Sequence, residues 1–318
     1  MSTTINITFS TCLYNLKNRH GADKHLEWMR GFICIVNRFY LVIYTDEETY
    51  DFIVTEVNKL DAETRSRIKI IIKPYTEFYN YKYAEYWKSN NDNPECKLYD
   101  IADWRLNMLW CEKVHFVNET IERQYFDTDT EYYGWCDIGY FRDTLLPRFT
   151  MLETLTKSES MTVTARDTQT AYSKMIRDRW PNPAKLNTLD KTRIYYGCNV
   201  GPDHMSVALK YYSEHFHPSN IDIKTGLPRT IYNKRAHFIS GGFFITGREK
   251  MKWWTNTFQN TLEKYIAHNA VIQDDQQLIA HCIFTRMSGS GADKDLCITK
   301  VSEMSPDKLW FMFRDLLL

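Results

Sequence analysis

An α/β fold with a mostly parallel central sheet is predicted by three features of this 318-residue chain. Continuous apolar strands recur along it. Stretches with helical spacing of apolar residues separate them, which implies parallel strands covered on both faces. Hydrophobic residues make up 43% and charged residues 25%, so the chain has enough apolar surface for one large core and is not disordered. A single domain over residues 1–318 is expected, with a loop-rich insertion and helices flanking the sheet.

The elements follow in order. Ile5 to Leu13 reads as a first strand. Asp23 is placed to cap a helix whose apolar positions are Leu26, Met29, Ile33 and Val36. Phe39 to Tyr44 is a continuous apolar strand that ends at Thr45-Asp46. Tyr50, Ile53, Val54, Val57 and Leu60 mark a second amphipathic helix. Ile68 to Ile72 is a third strand, closed by Pro74. Ser89 to Pro94 reads as a loop. Ile101 to Glu112 reads as a helix that gives way at Lys113 to Val114-His115-Phe116-Val117. Met161 to Ala165 is a further strand. The five prolines between about 168 and 235 predict a loop-rich insertion with short helices. Ala236 to Gly247 is a strand interrupted by Gly241 and Gly242. Met251, Trp254, Phe258, Leu262 and Tyr265 form a helical stripe, and Gln273 to Gln277 opens a last helix.

Charge and cysteine usage narrow the function classes. Forty basic and forty acidic residues cancel, which weighs against a chain-wide grip on nucleic acid. The eight cysteines form no CxxC pair and read as reduced, buried thiols. No window has the length of a transmembrane helix and the N-terminus lacks a signal-peptide pattern, so a cytoplasmic protein is expected. Oligomeric state is not legible.

The chemistry is concentrated in Tyr132-Tyr133-Gly134-Trp135-Cys136-Asp137-Ile138-Gly139-Tyr140-Phe141-Arg142. An apolar strand that delivers one carboxylate at its end is a place to hold Mg²⁺ or Mn²⁺, hard cations often shared with substrate phosphates. Asp137 equally fits as the cap of the next turn. Glycines inside a strand, as at Gly241 and Gly242, mark a bulge or a close approach by a ligand or another backbone. Asp274 and Asp275 stand at a helix start, where one of them serves as the N-cap. Two acids and two glutamines exceed what capping needs.

Taken together, Thr11-Cys12-Leu13-Tyr14, Tyr44-Thr45-Asp46, Trp135 to Arg142, Ser240 to Phe244 and Asp274 to Gln277 resemble the HtrL/YibB-like proteins. More broadly the chain looks like a nucleotide-sugar glycosyltransferase of the GT-A (Rossmann-like) fold. The resemblance spans nearly the whole chain and is weakest from about 168 to 235. It implies a nucleotide-binding part over about 1–150 and a donor-sugar and acceptor part over about 151–318. It implies transfer of a sugar from a UDP-sugar donor to a glycan or other hydroxyl acceptor, assisted by Mn²⁺ or Mg²⁺.

Residue by residue, the resemblance puts the metal on Asp137. Trp135 stands where the family usually has a first acid that contacts the ribose. Thr11, Cys12, Leu13 and Tyr14 would cradle the nucleoside, with Asp46 reaching the base or ribose or else capping the helix that follows it. Gly241 and Gly242 would lie beside the donor sugar. Asp274, Asp275 and Gln276 would face its reacting carbon. Arg19, Arg105, Lys113 and Arg142 are candidates to assist the leaving diphosphate. Two other classes stay open: an inactive domain of this fold that binds a glycan or a partner, and a transferase that acts on nucleic-acid bases.

Overall fold

The computed structural model describes residues 5–17, 21–142, 172–198, 202–233, 235–236, 238–287, 296–299 and 311–318. The expected class is present: among the described residues, one sheet of seven strands, mostly parallel, has helices on both faces. The strands are β1 (Ile7–Leu13), β2 (Tyr40–Thr45), β3 (Ile68–Ile72), β4 (Tyr132–Cys136), β5 (Ile194–Cys198), β6 (Ile239–Gly247) and β7 (Leu296–Thr299). Their order is β3-β2-β1-β4-β6-β5-β7. β6 runs antiparallel to both its neighbours, and the other pairs are parallel.

The helices are α1 (Ala22–Ile33), α2 (Glu47–Val57), α3 (Ala62–Ser66), α4 (Ala84–Asn91), α5 (Arg105–Arg123), α6 (Pro183–Leu186), α7 (Pro202–His215), α8 (Arg248–Ala267), α9 (Asp275–Met287) and α10 (Met312–Leu316). Residues 172–179 are also helical. Alternation along the strands splits the core in two. Tyr133 and Trp135 of β4 point into a cluster with Phe116 of α5, Trp254 and Phe258 of α8, and Leu278 of α9. Tyr132 and Cys136 point the other way, toward Met29 and Phe32 of α1, Ile53 of α2 and Phe313 of α10.

Several elements differ from the sequence expectation. Gly21, at φ 78°, precedes the first residue of α1, and Asp23 lies in its first turn instead of capping it. Residues 89–91 are the last turn of α4, not a loop. α5 runs on through Val114 to Val117 and ends at Arg123, because Lys113, Val114, Phe116, Val117 and Thr120 are all buried against the sheet. The insertion at 168–235 contains β5 and α7, a helix of 14 residues, so it contributes to the central sheet. The strand expected at Met161 to Ala165 lies outside the described residues. No described helix is long and apolar enough to cross a membrane.

Chain order and sheet order together mark a candidate position for a site. The chain lays β1, β2 and β3 outward in one direction, then returns to place β4 on the other side of β1. Ligands of open α/β sheets bind at the carboxyl ends of the strands where the order reverses. Here that point lies between Leu13 at the end of β1 and Asp137 just past β4, with Ser10 in register with Trp135.

Candidate functional site

A buried lysine holds two carboxylates at this crevice. Lys113 lies midway along α5 and is only 7% exposed. Its Nζ donates to Gly241 O at 2.8 Å and lies 3.1 Å from Asp275 Oδ2 and 3.3 Å from Asp137 Oδ1. Three elements therefore converge on one ammonium: the exit of β4, the bend in β6 and the first turn of α9. Burial favours the neutral amine, but the charges of Asp137 and Asp275 outweigh it and hold Lys113 above its ordinary pKa.

Asp137 is fixed from two further directions. Trp135 Nε1 donates to its Oδ1 at 2.5 Å, and its own backbone N–H donates to Gly242 O at 2.9 Å. Its side chain is 40% exposed, so the carboxylate forms the open rim of the cluster. Asp275 forms the floor. Burial pushes its carboxyl up to about 6, against the opposing charge of Lys113.

The two adjacent acids have separate duties. Asp274 Oδ1 accepts from Gln277 N at 3.0 Å, which is the N-cap of α9, and its Oδ2 pairs with Lys97. That frees Asp275 to turn toward Lys113. Gln276 is buried, and its Oε1 has no hydrogen-bond partner among the described residues.

The glycines of β6 make room for Asp275. A Cβ on Gly241 would sit 2.7 Å from Asp275 Oδ2 and 2.8 Å from Oδ1. Ile239 and Phe244 face the same cluster although they are five residues apart, so the pleat shifts between them. The register of β5 against β6 slips at the same place, from Tyr196↔Phe244 to Gly197↔Ser240. This is the bulge expected from two glycines in a strand, and the group that approaches most closely is a carboxylate of the chain itself.

The remaining expected residues divide. Cys12 lies on the same face of the sheet as Lys113; burial first, then the Asp137 charge, raises its thiol pKa, so it is a neutral wall. Thr11 is fully buried and its Oγ1 has no hydrogen-bond partner among the described residues. Leu13 packs on the opposite face, and only its carbonyl is engaged, by Thr45 and Thr49 hydroxyls at 2.8 and 3.1 Å. Tyr14 donates its hydroxyl to Lys73 O at 2.7 Å, which ties β1 to the end of β3. Trp135 is 1% exposed and stacks on Phe116, so its indole serves Asp137 from inside the core. Asp46 is the N-cap of α2, accepting from Thr49 N at 2.9 Å and Thr49 Oγ1 at 2.7 Å.

Of the basic candidates, Lys113 is at the centre. Arg105 begins α5, two turns above Lys113, and clasps Asp103 with both arms at 2.8 and 2.5 Å. Arg142 lies over the rings of Trp28 and Phe311. Arg19 lies outside the described residues. His25 of α1 was not expected. It packs edge-on to Trp28, and Asp137 is close enough to raise its pKa, although burial dominates and the net shift is downward.

The donor set does not fit a resident metal. Asp137 Oδ1, Asp275 Oδ2 and Gly241 O are the oxygens that converge, and the Lys113 ammonium stands among them. They lie 2.8–3.3 Å from its Nζ, distances that suit an ammonium, while Mg²⁺ needs oxygens at about 2.0–2.1 Å. Among the described residues no group of three His, Cys, Asp or Glu side chains is placed to hold a metal ion.

Comparison with known proteins gives little beyond this geometry. No protein-family profile matches the chain, and no curated protein matches it in sequence. Among solved structures it is similar to the galactosyltransferase LgtC in complex with donor and acceptor sugar analogs, at 10% identity and a TM-score of 0.42, over 92% of this chain and 72% of that one. An active-site mutant of LgtC aligns at 9% identity and TM-score 0.39, over 92% and 72% of the two chains. A 4-diphosphocytidyl-2C-methyl-D-erythritol synthase from Anaerococcus prevotii aligns at 11% identity and TM-score 0.32, over 98% and 96%. At such scores the functional reading rests on the site itself.

Proposed function

We propose that the chain is a glycosyltransferase that moves a sugar from a nucleoside-diphosphate donor, a UDP-sugar, to a hydroxyl acceptor on a glycan. The observation that carries this reading is the convergence of Asp137 and Asp275, 138 positions apart, on Lys113 at the reversal point of the sheet. In this reading the nucleoside lies in the crevice between Thr11–Tyr14 and Trp135–Asp137, whose strands are direct neighbours. The nucleotide-binding part is about 1–150 and the sugar part about 151–318, so the site draws Lys113 and Asp137 from the first and Gly241 and Asp275 from the second.

Each group has a task in that chemistry. Asp137, on the open rim, accepts hydrogen bonds from donor hydroxyls. Asp275, with its pKa near 6, is poised to orient or deprotonate a hydroxyl near neutral pH. Lys113 keeps both carboxylates aimed. Arg105 stands at the start of α5 paired with Asp103, so it would reach the donor diphosphate only by releasing that partner. Leucine, valine or any other side chain at Gly241 would displace Asp275, which explains the small residue there.

A thermal-shift and calorimetric screen of UDP, UDP-sugars and other nucleoside diphosphates tests the proposal. A ligand that binds only the folded state adds about 2.7 kcal/mol of apparent stability at 100 times its dissociation constant. Saturable binding of a UDP-sugar with slow donor hydrolysis supports a transferase. Binding without any turnover identifies an inactive binding domain. Absence of nucleotide binding under every condition overturns the reading.

A further inference from the structure

The cage of oxygens around Lys113 is complete without any added ion. A backbone carbonyl accepts a hydrogen bond from the ammonium at 2.8 Å, and two carboxylates, from α9 and the exit of β4, lie within ion-pair distance at 3.1 and 3.3 Å. The nitrogen is buried, and no side chain at Gly241 intrudes on it. Two carboxylates brought this close repel each other unless a cation lies between them. In many phosphate-handling sites that cation is a divalent metal, with oxygen ligands and a share of the substrate's phosphates. Here the chain supplies the cation itself, from the middle of a long helix that is pinned to β1 by Ser10 and Thr120 at 2.8 Å and to the turn at 79–80 by Glu112.

We infer that the Lys113 ammonium is a covalently tethered substitute for a divalent cation, so that Asp137 and Asp275 are held in place without metal and a divalent-cation site appears only when the lysine head is removed. Lys113 is then a positioning residue. Its ammonium is hydrogen-bonded to Gly241 O and ion-paired with Asp137 and Asp275, and it acts on a substrate through the two carboxylates. This deepens the reading given under Proposed function, but the cation chemistry stands on the cage alone.

Truncation to alanine leaves the two carboxylates and the Gly241 carbonyl around a space the size of the lost side-chain head. Hydrated Mn²⁺ can enter such a space, and the carboxylates can close on it. The test is a titration of the full-length protein with MnCl₂, read by the loss of the free-ion electron paramagnetic resonance signal. Wild type is expected to bind no Mn²⁺ up to millimolar concentration. Lys113→Ala is expected to bind one equivalent at least tenfold more tightly than wild type, and Asp137→Asn or Asp275→Asn in that background is expected to abolish it.

Wild-type UDP affinity is expected to change less than twofold between EDTA and excess MnCl₂. Binding of one Mn²⁺ by wild type that Asp137→Asn removes would overturn the inference. So would a UDP affinity that rises tenfold or more with MnCl₂, or a folded Lys113→Ala that gains no site. If Lys113→Ala does not fold, the wild-type titration decides alone. Failure of UDP to bind at all would sink the glycosyltransferase reading and leave the Mn²⁺ arms to decide the role of Lys113.

Discussion

Two adjacent aspartates illustrate how one residue differs from its neighbour. Asp274 and Asp275 are alike in sequence and both are buried, yet one caps a helix and the other faces a lysine. The cap direction is set by α9: the residue just before the first turn has its side chain over the free N–H groups, and the next residue points away. Asp275→Asn is expected to preserve the fold and UDP binding and to lower sugar transfer by roughly 10²–10⁴-fold, the usual worth of a positioned acid–base group. Asp274→Ala is expected instead to cost about 0.5–2 kcal/mol in denaturant unfolding, through the lost cap, with little kinetic effect. The pH profile separates the two further. Asp275 acts as an acceptor only when ionised, so kcat/KM is expected to fall about tenfold per unit below pH 6 and to level off above it. A flat profile between pH 5 and 7 would remove Asp275 from the chemistry.

Among the elements, β6 carries the strongest backbone constraint. Its nine residues are buried throughout, and it is flanked on both sides by antiparallel partners. Gly241 of β6 and Gly134 of the neighbouring β4, which pairs with Ile245, exclude side chains for different reasons. A Cβ on Gly134 would lie 2.2 Å from the carbonyl oxygen of Phe244, a backbone atom that cannot turn aside. A Cβ on Gly241 meets the two oxygens of Asp275, the end of a side chain, though one pinned by Lys113. Gly134→Ala is therefore expected to reduce stability by about 3 kcal/mol or more, beyond the common range for overpacking. Gly241→Ala is expected to cost about 1–3 kcal/mol and to displace Asp275, so activity falls more than stability does. Chemical denaturation beside donor-hydrolysis assays checks both, and an equally large stability loss in Gly241→Ala would show that Asp275 cannot be displaced and resists a Cβ as rigidly as backbone does.

At the scale of the whole molecule, acid sensitivity follows from two histidines in the aromatic cluster between α7 and α9. His281 donates or accepts at Tyr265 Oη at 3.0 Å, and His215 at Thr230 Oγ1 at 2.9 Å. Burial holds His215 down to about 4, and burial with the charges of Lys264 and His215 holds His281 down to about 3. The unfolded chain takes up a proton at each near the ordinary value of about 6.5, while the folded chain does not. Stability is then greatest above pH 6.5 and falls as the pH drops toward 4, by up to about 1.4 kcal/mol per unit for each histidine. The raised carboxyl of Asp275 acts in the opposite sense between pH 4 and 6, since there the folded chain holds the extra proton, and it offsets about one of the two. Urea midpoints measured from pH 7 to pH 4.5 are expected to decline, and His281→Asn is expected to flatten the decline by about one proton. An unchanged slope in that variant would mean that His281 is charged in the folded state.

The sequence alone was enough for the alternation of strands and helices, the apolar run of β1 to β3, the bulge signalled by Gly241-Gly242, the carboxylate at the end of β4 and the cap at Asp274-Asp275. These are local properties: periodicity, a missing Cβ, a cap before a helix. It did not show that α5 continues past Glu112, because Val114 to Val117 are apolar in a run and only contact with the sheet makes them helical faces. Nor did it show β5 inside the proline-rich stretch, since a short strand is defined by its partners. Lys113 was legible only as one of four basic candidates. Its central place required the fold, because its three partners lie 24, 128 and 162 positions away along the chain, and only the strand order brings Asp137, Gly241 and Asp275 to one nitrogen.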